Sequence, residues 1–199
     1  MNLPSSTQLG FRRAVSLLLI VISLCSLAAA APGAVQLRDV NGVLHRPLEA
    51  KGVQATVLIF ITHDCPISNR YAAEINRIQA AYAPRKIAFY MIYTDADLTP
   101  ARAREHKQAF GYRCPALLDP KHLLVKKMHA TVTPQAFVVS PSGKMLYRGR
   151  IDDTYADYGK SRLKPKTRDL RNALESIAKG KPLSNPVTKA IGCFITTEN

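Results

Sequence analysis

Two unbroken apolar runs, residues 57–61 and 87–93, dominate the pattern of the chain. Both are rich in β-branched and aromatic side chains, the pattern of strands buried on two faces beneath helices. Between them Tyr71, Ile75, Ile78, Gln79 and Tyr82 recur at helical spacing and predict a helix within residues 68–83. Ser68 or Asn69 is its expected N-cap, and Pro66 sets the start just past the preceding loop. Thr99-Pro100 opens a second helix reaching about Phe110, with Thr99 as cap and Glu105 within reach of it. Residues 116–119 read as a short strand and 121–129 as a short helix. Thr133-Pro134 leads into a strand over 135–140, and the turn 141–144 folds it back onto 144–150. Leu170, Leu174 and Ile177 line one face of a last helix within 167–178. The flanks are more polar: 31–51 holds the tight turn Asp39-Val40-Asn41-Gly42, and an apolar patch returns only at 190–195. Alternating strands and helices followed by a hairpin and a closing helix predict one α/β domain with a mixed sheet.

Residues 1–30 follow a different pattern. Arg12 and Arg13 precede an apolar stretch, 14–24, and then a run of alanines. The stretch is shorter than the ~20 residues a membrane-spanning helix needs. A short basic region, a short apolar core and a small-residue exit read as a secretory signal peptide, with Ala28 and Ala30 placing the cut after Ala30. The expected organisation is a signal over 1–30 and a domain over 31–199, in a secreted or periplasmic protein. An uncleaved anchor is the alternative. Cys25 is a poor lipidation site because bulky Leu24 precedes it.

Composition adds little to this picture. A hydrophobic share of 47% is too high for a disordered chain. The formal charge of +14 falls by two, to +12, without the signal's two arginines. The basic residues are scattered and no nucleic-acid motif accompanies them, so a solvated cationic surface is expected and a nucleic-acid partner is not. Neither a P-loop nor a G-x-G-x-x-G is present, and no organic cofactor is expected.

The cysteines carry the chemistry. Beyond the signal they are Cys65, Cys114 and Cys193, an odd number for an oxidising compartment, which leaves one thiol reactive, unpaired or paired in trans. Cys65 follows the first buried strand and precedes a helix, where ligands gather in open α/β sheets. The positive end of the helix favours a thiolate there and makes Cys65 the expected nucleophile. No C-x-x-C is present; the position three after Cys65 is Ser68, so a second thiol must come from elsewhere. Cys193, near the C-terminus where it can swing toward Cys65, and Cys114, in Tyr112-Arg113-Cys114-Pro115, are the candidates, and three pairings stay open. Arg148 and Arg150 alternate onto one face of their strand; Arg150 is the arginine taken as a candidate to steady a thiolate or an oxyanion, against the alternative of pairing with Asp152 or Asp153. Asp64 disfavours a thiolate beside it, while His63 offsets that charge or shuttles a proton.

Residues 60–66, with Thr62 and Cys65 forming T-x-x-C and Pro66 following, resemble the active-site loop of the peroxiredoxin (AhpC/TSA-like) and redoxin branch of the thioredoxin-like superfamily. The family's proline four residues before the threonine falls here on Leu58. Thr133-Pro134 resembles the cis-proline that faces the reactive cysteine in thioredoxin-like proteins, and 147–153 with 192–195 are similar to bacterial exported redoxin-domain proteins. The resemblance spans about residues 35–195. It implies a thioredoxin-like fold, a mixed central β-sheet flanked by helices, and a thiol peroxidase or thiol–disulfide oxidoreductase. Cys65 would react with a peroxide or a protein disulfide, Thr62 and an arginine would orient the substrate, Pro134 would frame the groove, and Cys193 or an external thiol reductant would resolve the intermediate. The alternatives are a non-catalytic module and a copper-chaperone-like metal binder using Cys65 and a histidine; against the latter, a C-x-x-x-C pair would need a cysteine where Asn69 stands.

Overall fold

The computed structural model describes residues 35–196, so the signal expected over 1–30 lies outside the described residues. The described chain enters through a small hairpin, β1 (Leu37–Arg38) and β2 (Leu44–His45). The Asp39 carboxylate closes its turn, accepting hydrogen bonds from the Asn41 and Val43 amides at 2.8 and 3.0 Å and from His45 at 3.0 Å. The main sheet follows: β3 (Ala55–Ile61), β4 (Ile87–Tyr93), β5 (Ala116–Leu118), a two-residue β6 (Val132–Thr133), β7 (Gln135–Val139) and β8 (Met145–Gly149). Five of these form one sheet in the order β5-β4-β3-β7-β8. β3 runs parallel to β4 and antiparallel to β7, which makes the sheet mixed, as expected.

The alternation of side chains along β3 divides the core. Val57, Ile59 and Ile61 face one layer with Met91, Tyr93 and Val138; Leu58 and Phe60 face the other with Ile92, Phe137 and Leu117. The first layer is covered by α1 (Pro66–Tyr82), through Tyr71, Ile75 and Ile78, and by α4 (Asp169–Ala178), through Leu170 and Leu174. α2 (Pro100–Ala109) adds Ala103 to it, and α3 (Leu123–Met128) covers the second layer with Leu124 and Val125. Every strand of the long apolar runs is therefore buried on two faces, which is why those runs carry no polar alternation.

Three local expectations are corrected. Helix α1 is capped by Cys65, not by Ser68 or Asn69: Pro66 occupies the first helical position and Ser68 N–H points back to the Cys65 sulfur. Thr99 does cap α2, with Arg102 N–H donating to its hydroxyl at 3.3 Å, and Glu105 takes no part. The segment around Cys193 is not a swinging tail. Residues 186–188 lie along β8, with Arg148 N–H donating to Pro186 O and Thr188 N–H to Arg148 O. Cys193 and Phe194 then form β11 (Cys193–Phe194), antiparallel to β6. These are main-chain pairings between polar or mixed segments, which hydrophobic periodicity does not report. A separate hairpin of β9 (Tyr155–Asp157) and β10 (Lys160–Ser161) stands between β8 and α4 in the chain.

Candidate active site

The carboxyl end of β3 delivers Thr62 and the loop to Cys65, and a chain of polar contacts fixes that loop. Asp95, just past β4, receives the His63 amide and the His63 Nδ1–H, the latter at 2.6 Å. His63 Nε2 accepts from the Arg102 guanidinium of α2 at 3.1 Å, so both ring nitrogens are engaged. The Asn69 amide donates to His63 O at 3.0 Å, and His106 Nε2–H donates to Asn69 Oδ1 at 2.9 Å. Tyr93 hydroxyl completes the chain, donating to His106 Nδ1 at 2.7 Å. Burial lowers the His106 pKa, with His63 adding to the effect, which keeps that ring neutral in this role. His63 is thus a fastener of the loop, tied to Asp95 and to Arg102.

Cys65 sits at the head of α1, only 2% exposed. Burial pushes its thiol up, but hydrogen bonds from Cys193 and from the Ser68 hydroxyl and amide outweigh it, and the net pKa lies below the ordinary value. The Ser68 hydroxyl is buried near the Cys65 sulfur and is satisfied by no hydrogen-bond partner, which leaves its proton free to turn toward that sulfur. In the thiol form Cys65 S–H donates to Thr133 O at 3.2 Å.

The second cysteine is alongside. Cys193 Sγ lies 2.7 Å from Cys65 Sγ, both thiols being free. Burial raises the Cys193 pKa to about 12, and the neighbouring Cys65 and Asp64 add to the shift. Of the two sulfurs Cys65 gives up its proton the more readily, and Cys193 the less. Cys114 is buried in the core, its pKa pushed up to about 11 by that burial, and no hydrogen bond joins it to the other two sulfurs.

The loop between β6 and β7 faces this pair. The Thr133-Pro134 peptide bond is cis, as expected. The Thr62 and Thr133 hydroxyls meet at 3.2 Å, and Cys193 stands opposite Thr133 in the β6–β11 register. The approach is so close that a Cβ on Gly192 would overlap the Thr133 carbonyl. Beside the sulfurs opens a cleft of about 870 Å³ whose walls include Thr62, Asp64, Cys65, His122, Cys193 and Phe194.

Of the residues singled out from sequence, Cys65, Thr62, Pro134 and Cys193 come together here. Arg150 does not join them. Its guanidinium is held by Asp169 at 2.8 Å, with Thr167 beside it, at the start of α4. Arg148 is exposed on β8, and Asp153 pairs with Arg162. Alternation along a strand gives the face of an arginine but not which carboxylate claims it. Sequence reasoning missed Asp95 and Arg102, which carry no local motif, and Gly192, whose close contact is with a distant strand. His63, Asp64 and Asp95 place donor atoms within 4.8 Å of one another, but His63 and Asp95 are already bonded to each other and the second nitrogen of His63 to Arg102.

A cysteine at a helix head, a facing cis-proline and a mixed five-stranded sheet define a protein of thioredoxin-like fold. The profile of the AhpC/TSA family matches residues 28–148, and the chain belongs to that family. Among solved structures it is similar to a hypothetical protein of Sinorhizobium meliloti, at 27% identity and a TM-score of 0.73, over 82% of this chain and 91% of that one. It is likewise similar to an uncharacterised conserved protein of Geobacillus kaustophilus, at 26% identity and TM-score 0.72, over 83% and 90% of the two chains. A secreted Mycobacterium tuberculosis disulfide oxidoreductase homologous to Escherichia coli DsbE shares the fold, at 16% identity and TM-score 0.52, over 74% and 96%. No curated protein sequence matches the chain.

Proposed function

We propose that this protein is an exported thiol–disulfide oxidoreductase in which Cys65 is the nucleophile and Cys193 the resolving thiol. The observation that carries the reading is the 2.7 Å separation of the two sulfurs. Cys65 thiolate attacks one sulfur of a substrate disulfide; the S–S bond breaks and the other substrate sulfur leaves as a thiolate that takes a proton. Once Cys65 is bonded, its negative charge no longer holds the Cys193 proton, and part of what raised that thiol's pKa is gone. Cys193 then loses its proton to solvent and attacks Cys65 Sγ, releasing the second substrate sulfur. Two electrons pass to the substrate, the protein is left with a Cys65–Cys193 disulfide, and an external dithiol must return it to the reduced state. Thr62 and the Thr133-Pro134 backbone frame the attack. Export is supported by the basic, apolar and small-residue pattern of residues 1–30.

A second reading, a peroxide as oxidant, is favoured by the family match and by the Thr62 hydroxyl close to the Cys65 loop. There Cys65 would take oxygen to become a sulfenic acid, releasing water, and Cys193 would condense with it to the same disulfide. Single-turnover rates of Cys65 with a peptide disulfide and with hydrogen peroxide separate the two. Faster reaction with the disulfide is expected; the reverse order turns the reading to a peroxidase. Cys65→Ser is expected to abolish both, and wild-type turnover in that variant would overturn the role of Cys65. A slow Cys65 with an ordinary pH profile would favour the non-catalytic module.

A further inference from the structure

The hairpin β9–β10 belongs to no larger sheet among the described residues, and Tyr158 stands at its turn, 53% exposed. A tyrosine this exposed contributes little to the core, yet its contacts converge on one short segment. Its hydroxyl donates to Gly192 O at 3.1 Å, and its ring lies against that of Phe194, 6.1 Å between centroids and tilted by 34°. Gly192 and Phe194 are the two residues flanking Cys193. The hairpin itself is rooted, since Arg162 N–H donates to Thr154 O at 2.7 Å and the Arg162 side chain pairs with Asp153 at 3.3 Å. The main-chain pairing of β11 is short: a two-residue ladder to β6 and one further bond from Ile195 N–H to Thr131 O at 3.0 Å, with buried Ile191 before it and Ile195 packed against the second core layer after it. A ladder that short is marginal on its own.

We propose that Tyr158 is a positioning residue that grips both neighbours of Cys193, keeps that thiol opposite Cys65 and so sets how strongly the Cys65–Cys193 disulfide is favoured. The proposal rests on the exchange reaction above. Tyr158 does not touch the reacting sulfurs; it acts through Gly192 and Phe194. With the grip in place, Cys193 meets Cys65 without first ordering the chain that carries it, and the effective concentration of one thiol at the other is high. Loosened, the same two thiols must pay that ordering cost before the bond forms.

The test is the equilibrium of the full chain with glutathione. One oxidised glutathione takes two electrons and two protons from the protein dithiol, giving two reduced glutathiones and the Cys65–Cys193 disulfide. Wild type, Tyr158→Phe and Tyr158→Ala are brought to equilibrium over a range of glutathione ratios, and the bridged fraction is read by alkylation and mass spectrometry. Tyr158→Phe, which keeps the ring and loses one hydrogen bond, is expected to lower the equilibrium constant for bridging by about 2- to 10-fold. Tyr158→Ala, which loses the aromatic contact as well, is expected to lower it by roughly 5- to 100-fold. Melting of both redox forms is followed in parallel, because a merely structural tyrosine would destabilise the two forms alike and leave the constant at its wild-type value. That result in Tyr158→Ala, with the bridge still forming, overturns the role of Tyr158 and leaves the exchange reaction standing. Wild type that fails to bridge at any ratio overturns both.

Discussion

Gly192→Ala tests the geometry of the resolving step. A Cβ at this position would overlap the Thr133 carbonyl and come within 3.2 Å of Pro134 N. The backbone it meets cannot easily yield, because Thr133 is fully buried, its hydroxyl is tied to Thr62, and β7, which begins at Gln135, is paired on both sides within the sheet. The segment carrying Cys193 must lift instead. Overpacking of this kind costs about 1–3 kcal/mol. At 1.4 kcal/mol per factor of ten, the fraction of molecules with Cys193 in place falls by roughly 5- to 150-fold. The assay follows reduced protein mixed with excess oxidised glutathione and quenched in acid at intervals, with the Cys65–glutathione adduct and the Cys65–Cys193 bridge counted by mass spectrometry. Adduct on Cys65 is expected to form and then persist, its conversion to the bridge slowed by that factor. A variant that resolves the adduct at the wild-type rate would refute the placement of β11 against the cis-proline loop.

Other perturbations address the thiols and their supports. Ser68→Ala removes a buried hydroxyl that lowers the Cys65 pKa, and its Cys65 is expected to alkylate more slowly near neutral pH, as a rate profile against pH would record. Cys193→Ala removes another donor and is expected to move the same profile upward. Burial first, and the thiolate neighbour at Cys193, raise the folded-state pKa of Cys114 to about 11 and of Cys193 to about 12 from an ordinary 9.0. The unfolded chain gives up those protons first, so their contribution to stability is whole below pH 9 and is lost as pH rises toward 11 and 12; Cys65, with a lowered pKa, has the opposite sign, its contribution growing as pH rises to 9 and constant above. Melting of the reduced protein is expected to fall through that alkaline window, less steeply in Cys114→Ala. Arg150→Met is expected to cost about 1.5–3 kcal/mol through loss of its charged bond to Asp169, while Cys65 alkylates at the wild-type rate; a slowed Cys65 would return the arginine to the site.

The strands that build the sheet were legible because residues 57–61 and 87–93 are apolar without interruption, which only a doubly covered strand requires. Cys65 was legible for a related reason: a polar loop, a proline and a helical repeat after a buried strand leave it at a helix head. The cis-proline rested on resemblance, with the residues supplying only Thr133-Pro134. What escaped was long-range and polar. Nothing near Cys193 in sequence says that its segment pairs with residues 132–133, because a two-residue ladder leaves no periodicity. Nothing beside Arg150 says that Asp169 claims it, since choosing a partner for a charge needs the positions of both. The N-cap was misplaced by three residues because a sulfur is a weak acceptor and Ser68 offers a better one by composition alone; the chain instead spends Ser68 on the sulfur.

The most direct measurement is the pairing itself. Reduced full-length protein is oxidised with a peptide disulfide, free thiols are blocked, and the bridged peptides are identified by mass spectrometry. A single bridge between Cys65 and Cys193, with Cys114 blocked as a free thiol, is the expected result. A bridge joining Cys114 to Cys193, or oxidation that leaves Cys65 and Cys193 unlinked, would contradict the assignment of these two sulfurs as the reacting pair.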